Sequence, residues 1–158
     1  MDTKSLMAIN TDVLIDYRQA SSLNPDNWDI SEYVNWKYDM NAALAFSKLF
    51  FPDFIEKDGC VILSFRYNEE TFETWKQHFN NDTTAIETAC NMYQISDYFS
   101  NNDVYESDEH FYEAIKAFSY ALKTAWQLNC NVLFPQRNII VDVYDDREET
   151  KITLYTVK

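Results

Sequence analysis

The chain has 158 residues and a formal net charge of −13, with 26 acidic side chains against 13 lysines and arginines. Hydrophobic residues make up 46% and aromatics 16%, which is enough for one domain with a sizeable core and argues against a disordered acidic tail. Acid exceeds base in every third of the chain, so the expected field repels nucleic acid and anionic membrane.

The first residues, MDTKSLMAINTDVLIDYRQ, lack the basic start and apolar stretch of a signal peptide. The longest apolar runs, such as Val61–Leu63 and Ile139–Val141, are far too short to cross a bilayer, and a soluble cytoplasmic protein is the expectation. Thr11 is placed to cap a short helix over Asp12–Arg18, and 21–27 (SSLNPDN) reads as a loop. Asp29 or Ser31 then starts a long helix running to about Phe50, before Pro52. One apolar stripe on it passes through Tyr33, Trp36, Met40, Ala43 and Leu44, and a second through Val34, Tyr38, Ala42, Ala45 and Leu49. Two stripes predict a helix buried on more than one side.

Residues 54–67 (FIEKDGCVILSFRY) read as a hairpin, with Glu56-Lys57-Asp58-Gly59 as a type I turn and Gly59 in its left-handed position. Cys60–Phe65 is apolar at nearly every position, as a strand covered on both faces would be. Gly59 is the only glycine, where average usage would give about eleven. That excludes phosphate-cradling loops and dinucleotide turns, which need several glycines to let the backbone approach a pyrophosphate, and a GxSxG nucleophile elbow, which needs two.

Asn68, followed by two glutamates, starts a helix with Phe72, Trp75 and Phe79 on its apolar side. Asp82 or Thr83 opens another, carrying Ile86, Ala89, Cys90 and Tyr93. Residues 97–109 form a polar loop ending at a capping position on Ser107 or Asp108. A long helix follows to about Asn129, with Phe111, Ile115, Phe118, Leu122 and Ala125 inward. The carboxyl end alternates with a period of two: Ile139, Val141 and Val143 face one way, and Ile140, Asp142 and Tyr144 the other. Asp145–Glu149 is the turn, and Ile152 and Leu154 return on the buried face opposite Thr153 and Tyr155. The sum is a single α+β domain over residues 1–158, a hairpin, helices and a hairpin, with helices packed on an antiparallel sheet of about four strands.

No motif for catalysis, cofactor binding or metal binding emerges. Cys60, Cys90 and Cys130 have no paired spacing and read as reduced, buried thiols. Glu106, His110 and Glu113 share a helical spacing, but Ser107 stands where a Glu-x-x-His metal motif needs its glutamate, so no metal is expected. Two segments interleave carboxylates with tyrosine, a residue that offers flat contact area at small entropic cost. Asp103, Tyr105 and Glu106 come from one. Asp142, Tyr144, Asp145, Asp146, Glu148, Glu149 and Tyr155 come from the carboxyl-terminal hairpin. These ten are the candidate partner-binding residues, set against the plain reading of solvated loops that protect a sheet edge.

The functional expectation is a non-enzymatic protein-binding module that docks on and neutralises a basic protein partner. In size, acidity and lack of catalytic motifs the chain looks like the small bacterial immunity proteins that inhibit cognate toxins, often nucleases. The similarity is one of general type, and no residue role is carried over from it. The alternatives are a small-molecule-binding protein or enzyme, which requires a concave pocket with converging polar groups, a nucleic-acid mimic, which requires regularly distributed carboxylates, and a homo-oligomer that buries surplus aromatics.

Overall fold

Both expected hairpins form, and each is tighter than its sequence suggests. In the computed structural model, which describes residues 4–101, 110–147 and 149–158, β1 (Phe54–Lys57) pairs antiparallel with β2 (Cys60–Leu63) from Phe54↔Leu63 to Lys57↔Cys60. Only Asp58 and Gly59 remain in the loop, with φ of 49° and 84°. Positive φ at both central residues is a type I′ turn, not type I, because only its twist matches that of the flanking strands. All four β2 residues are buried, as its unbroken apolar run requires.

β4 (Ile139–Asp146) pairs with β5 (Glu149–Thr156) from Ile139↔Thr156 to Asp146↔Glu149, so Asp145, Asp146 and Glu149, expected in the turn, belong to the strands. A two-residue strand, β3 (Tyr93–Gln94), pairs with the other edge of β5. The strands therefore fall into two antiparallel sheets, β1-β2 and β3-β5-β4.

The helices account for the rest of the α+β fold. A 3-10 turn (Thr11–Val13) is capped by Asn10, and α1 covers only Tyr17–Ala20. Asp16, with φ of 65°, separates them, so the expected helix over Asp12–Arg18 does not form as one piece. The expected loop from Ser21 begins as a further 3-10 turn, Ser21–Leu23. The long helix predicted up to Phe50 is two, α2 (Ile30–Lys37) and α3 (Met40–Phe50). Tyr38 is extended between them, and the Asp39 carboxylate accepts the Ala42 N–H at 2.8 Å, starting a new helix in place of continuing the old one. α4 (Glu69–His78) and α5 (Thr83–Asn91) begin where expected, capped by Asn68 and Asp82. A 3-10 turn over Ile95–Phe99 takes the first part of the expected polar loop. α6 spans Phe111–Leu133, a turn longer than its periodicity suggests. The expected cap at Ser107 or Asp108 lies outside the described residues.

β2 divides the core. Val61 and Leu63 pack with Leu122 and Trp126 of α6 and with Ile152 and Leu154 of β5. Cys60 and Ile62, on its other face, pack with Phe72 of α4 and Ile86 and Cys90 of α5. No ladder joins β2 to β5 among the described residues; side chains of α5 join them instead. Glu87 Oε1 accepts from Val61 N at 2.7 Å and from Thr156 Oγ1 at 3.1 Å, while its Oε2 accepts from Thr156 N. One turn on, Asn91 Oδ1 accepts from Leu63 N at 2.8 Å, and its Nδ2 donates to Val61 O at 2.9 Å and Leu154 O at 3.1 Å. Both side chains are fully buried and take the role that a neighbouring strand's peptides would play.

Candidate functional site

The carboxyl-terminal hairpin carries seven of the ten candidate partner-binding residues, and its acids meet lysines of the same chain. Asp142 Oδ1 lies 3.8 Å from Lys123 Nζ and Asp145 Oδ2 lies 3.7 Å from Lys116 Nζ, both lysines reaching down from α6. Lys151 lies 2.7 Å from Asp146 and 3.5 Å from Glu149. The Asp146 hydrogen bond holds the Lys151 ammonium above its ordinary pKa. Tyr144 donates its hydroxyl to Met92 Sδ at 3.1 Å, and Tyr155 is half-buried opposite Ile140. Glu148, like Asp103, Tyr105 and Glu106 of the other acidic segment, lies outside the described residues. The hairpin is therefore less negative than its sequence, although the exposed pairs to Lys116 and Lys123 are weak enough for a competing cation to exchange them.

The free edge of β4 is also occupied in part. Gln127 of α6 sets its amide against the strand, Oε1 accepting from Val141 N at 2.9 Å and Nε2 donating to Ile139 O at 2.8 Å. A single side chain thus mimics a peptide pair and blunts an edge that would otherwise invite another strand. Thr153, expected on the outward face of β5, is buried beneath α5 and donates to Thr88 O at 2.8 Å.

The surface that sequence reasoning misplaced is α3. Its eleven residues, MNAALAFSKLF, are predominantly apolar, yet none is buried. The expectation of burial on more than one side is overturned. The inward stripe, with Phe46, Leu49 and Phe50, leans on α6, where Trp126 Nε1 donates to Leu49 O at 2.9 Å and Asn129 Nδ2 to Phe50 O at 3.0 Å. Among the described residues nothing is shown packed against the outward stripe. Met40 is 74% exposed, and Leu44 and Phe51 are 62% each. Helical spacing puts these three on one side. Leu128 and Val132 of α6 are also exposed. Carboxylates stand at both ends of α3: Asp39 at its cap, and Asp53 just beyond it, paired with Lys48 at 2.6 Å. Met40 and Leu44 belong to the first of the two apolar stripes in the sequence, and such a stripe reads equally as a buried face or an open one.

The chemistry available elsewhere is sparse. The three thiols are free and buried, and burial pushes Cys60 up to about 11 and Cys130 up to about 12, with Glu87 adding to both, so neither is a thiolate near neutrality. Burial raises Cys90 as well. His110 Nδ1 lies 3.5 Å from Glu113 Oε2. Among the described residues no three His, Cys, Asp or Glu side chains gather as a metal site would require, and no helix is long and apolar enough to cross a membrane. A cavity of about 250 Å³ lies between α6, α3 and the amino-terminal 3-10 turn. Among the described residues its walls are aromatic and aliphatic, without the converging ionisable groups of a catalytic cleft.

Compared with known protein families, curated proteins and solved structures, the chain matches none.

Proposed function

We propose that this is a protein-binding module that docks on a basic protein partner and neutralises it, in the manner of an immunity or inhibitor protein acting within the cytoplasm. The observation that carries the reading is α3, an apolar helix with no buried residue. An interface of this kind has an apolar centre and a polar rim. Met40, Leu44 and Phe51 supply the centre, and Asp39 and Asp53, at the two ends of α3, the rim. The net charge of −13 speeds encounter with a cationic surface, and the apolar contacts slow its release. The acidic hairpin contributes to steering through Asp142 and Asp145 once the partner's cations displace Lys116 and Lys123.

The test is affinity capture at low ionic strength with the full chain and with a Leu44→Asp, Phe51→Asp variant whose fold is confirmed by circular dichroism. The reading expects a protein of high pI held by the wild type, released by salt and lost in the variant. Capture that is unaffected by the two substitutions, or that selects no basic protein, overturns it. So does light scattering that shows the wild type to be a dimer and the variant a monomer, because α3 would then face a second copy of the chain.

A further inference from the structure

We propose that the cavity beneath α3 is a binding site for an uncharged apolar small molecule about the size of a two-ring aromatic. The cavity uses the side of α3 opposite to the exposed stripe and is independent of the docking reading. Its floor is α6, where Ala114, Ala117 and Ala121, spaced by three and four residues, leave room that larger side chains would fill. Phe118 stands beside them and forms an aromatic wall, its ring centroid 6.2 Å from Phe46, 5.8 Å from Phe50 and 5.1 Å from Phe99. Val13 and Ile115, each 7% exposed, lie at the deep end. Ile9 and Phe46, 48% and 40% exposed, mark a mouth that reaches solvent.

Size and chemistry select the ligand. An apolar cavity of about 150 Å³ stays dry and takes up benzene. This one, at about 250 Å³, has room for a second ring, and among the described residues Tyr38 is the only lining residue whose side chain carries a polar group. A ligand entering it displaces little ordered water and gains the dispersion contacts that the empty walls lack. Among the described residues no charged side chain lines the cavity, so an ionic ligand would lose hydration without replacement from them. Lys37 reaches the adjoining groove, which shares Tyr38, Phe46 and Phe99 with the cavity, but its ammonium is held by Asp16 at 2.8 Å. With the net charge of −13, this disfavours anions further.

The experiment titrates the full chain with indole, an uncharged two-ring aromatic, and with its anionic relative indole-3-acetate, by calorimetry and thermal denaturation. Saturable indole binding is expected, with a melting temperature that rises with indole concentration and at least tenfold weaker binding of the anion. Ala121→Leu, which fills the floor, should weaken indole at least tenfold while the ligand-free protein melts no lower than wild type. If Ala121→Leu does not fold, Ala117→Leu serves in its place. Leu44→Ser, on the opposite side of α3, should leave indole affinity unchanged. The proposal falls if the wild type shows no saturable binding, if the anion binds equally well, if the filled variant retains its affinity, or if Leu44→Ser is the substitution that abolishes it.

Discussion

α5 and α3 are similar in length, nine and eleven residues, and each begins at an aspartate that accepts a backbone N–H, yet their places in the molecule are opposite. α5 reads as the more polar helix, and it buries Glu87 and Asn91 completely. α3 reads as the more apolar, and it buries nothing. The difference lies in what stands opposite each. α5 faces two strand edges, β2 and β5, whose amides and carbonyls need partners, and an acid and an amide one turn apart supply them. α3 meets α6 along one side and solvent along the other. Hydropathy alone assigns the two helices the wrong way round.

The largest expected effect falls on α5. Asn91→Ala removes three buried hydrogen bonds and leaves Leu63 N, Val61 O and Leu154 O without partners, in a place too tightly packed for water to enter freely. The loss should be about 3–5 kcal/mol, read as a lowered urea midpoint with an unchanged slope. A loss below about 1 kcal/mol would mean that the two sheets hold together without the amide. On α3, by contrast, Leu44→Ser should change stability by no more than about 0.5 kcal/mol, although it removes a large apolar side chain. A loss near the 2–5 kcal/mol typical of a core leucine would show that Leu44 is covered in solution, and the contrast between the helices would collapse.

Much of this architecture is legible in the sequence because it rests on local chemistry. The Asn68 and Asp82 caps, the Asp58-Gly59 turn and the alternation over Ile139–Val143 each depend on neighbours within a few residues, and each forms. The break at Tyr38-Asp39 is harder to read, since helix-compatible residues surround it on both sides and the deciding hydrogen bond, from Ala42 N to Asp39, competes with simple continuation. The burial of Glu87 and Asn91 is invisible locally. They stand next to Ile86 and Cys90, where a helix face turns toward solvent, and only the gap between β2 and β5 brings them inside. For the candidate site, the acids of the hairpin were evident, but the lysines that meet them come from α6, 19 and 29 residues earlier, and from the returning strand. The open stripe of α3 was evident as a pattern and silent about its surroundings.

The smallest expected effect concerns the ties between the first hairpin and α4, which close the layer that α5 completes. Lys76 donates to Asp58 in the turn, and Lys57 of β1 donates to Glu69 at 3.1 Å, with Tyr67 donating to the same carboxylate. The Lys76 hydrogen bond holds Asp58 below the ordinary carboxylate range, and the Tyr67 hydroxyl, then Lys57, do the same for Glu69. A carboxyl group with a lower pKa in the folded chain binds fewer protons there than in the unfolded chain. Its stabilisation is therefore complete above the unfolded pKa, near 4, and is lost as pH falls through the folded value. Both carboxylates are solvent-exposed, so the contribution is small and salt-screened. Lys76→Met should lower the urea midpoint slightly at pH 7, and that difference from wild type should vanish toward pH 2–3 and shrink in high salt. A difference that persists unchanged in acid would mean that Lys76 acts through the packing of its aliphatic stem, and the turn would then be fixed by Gly59 geometry and by Arg137, which donates to Gly59 O at 2.8 Å, without help from charge.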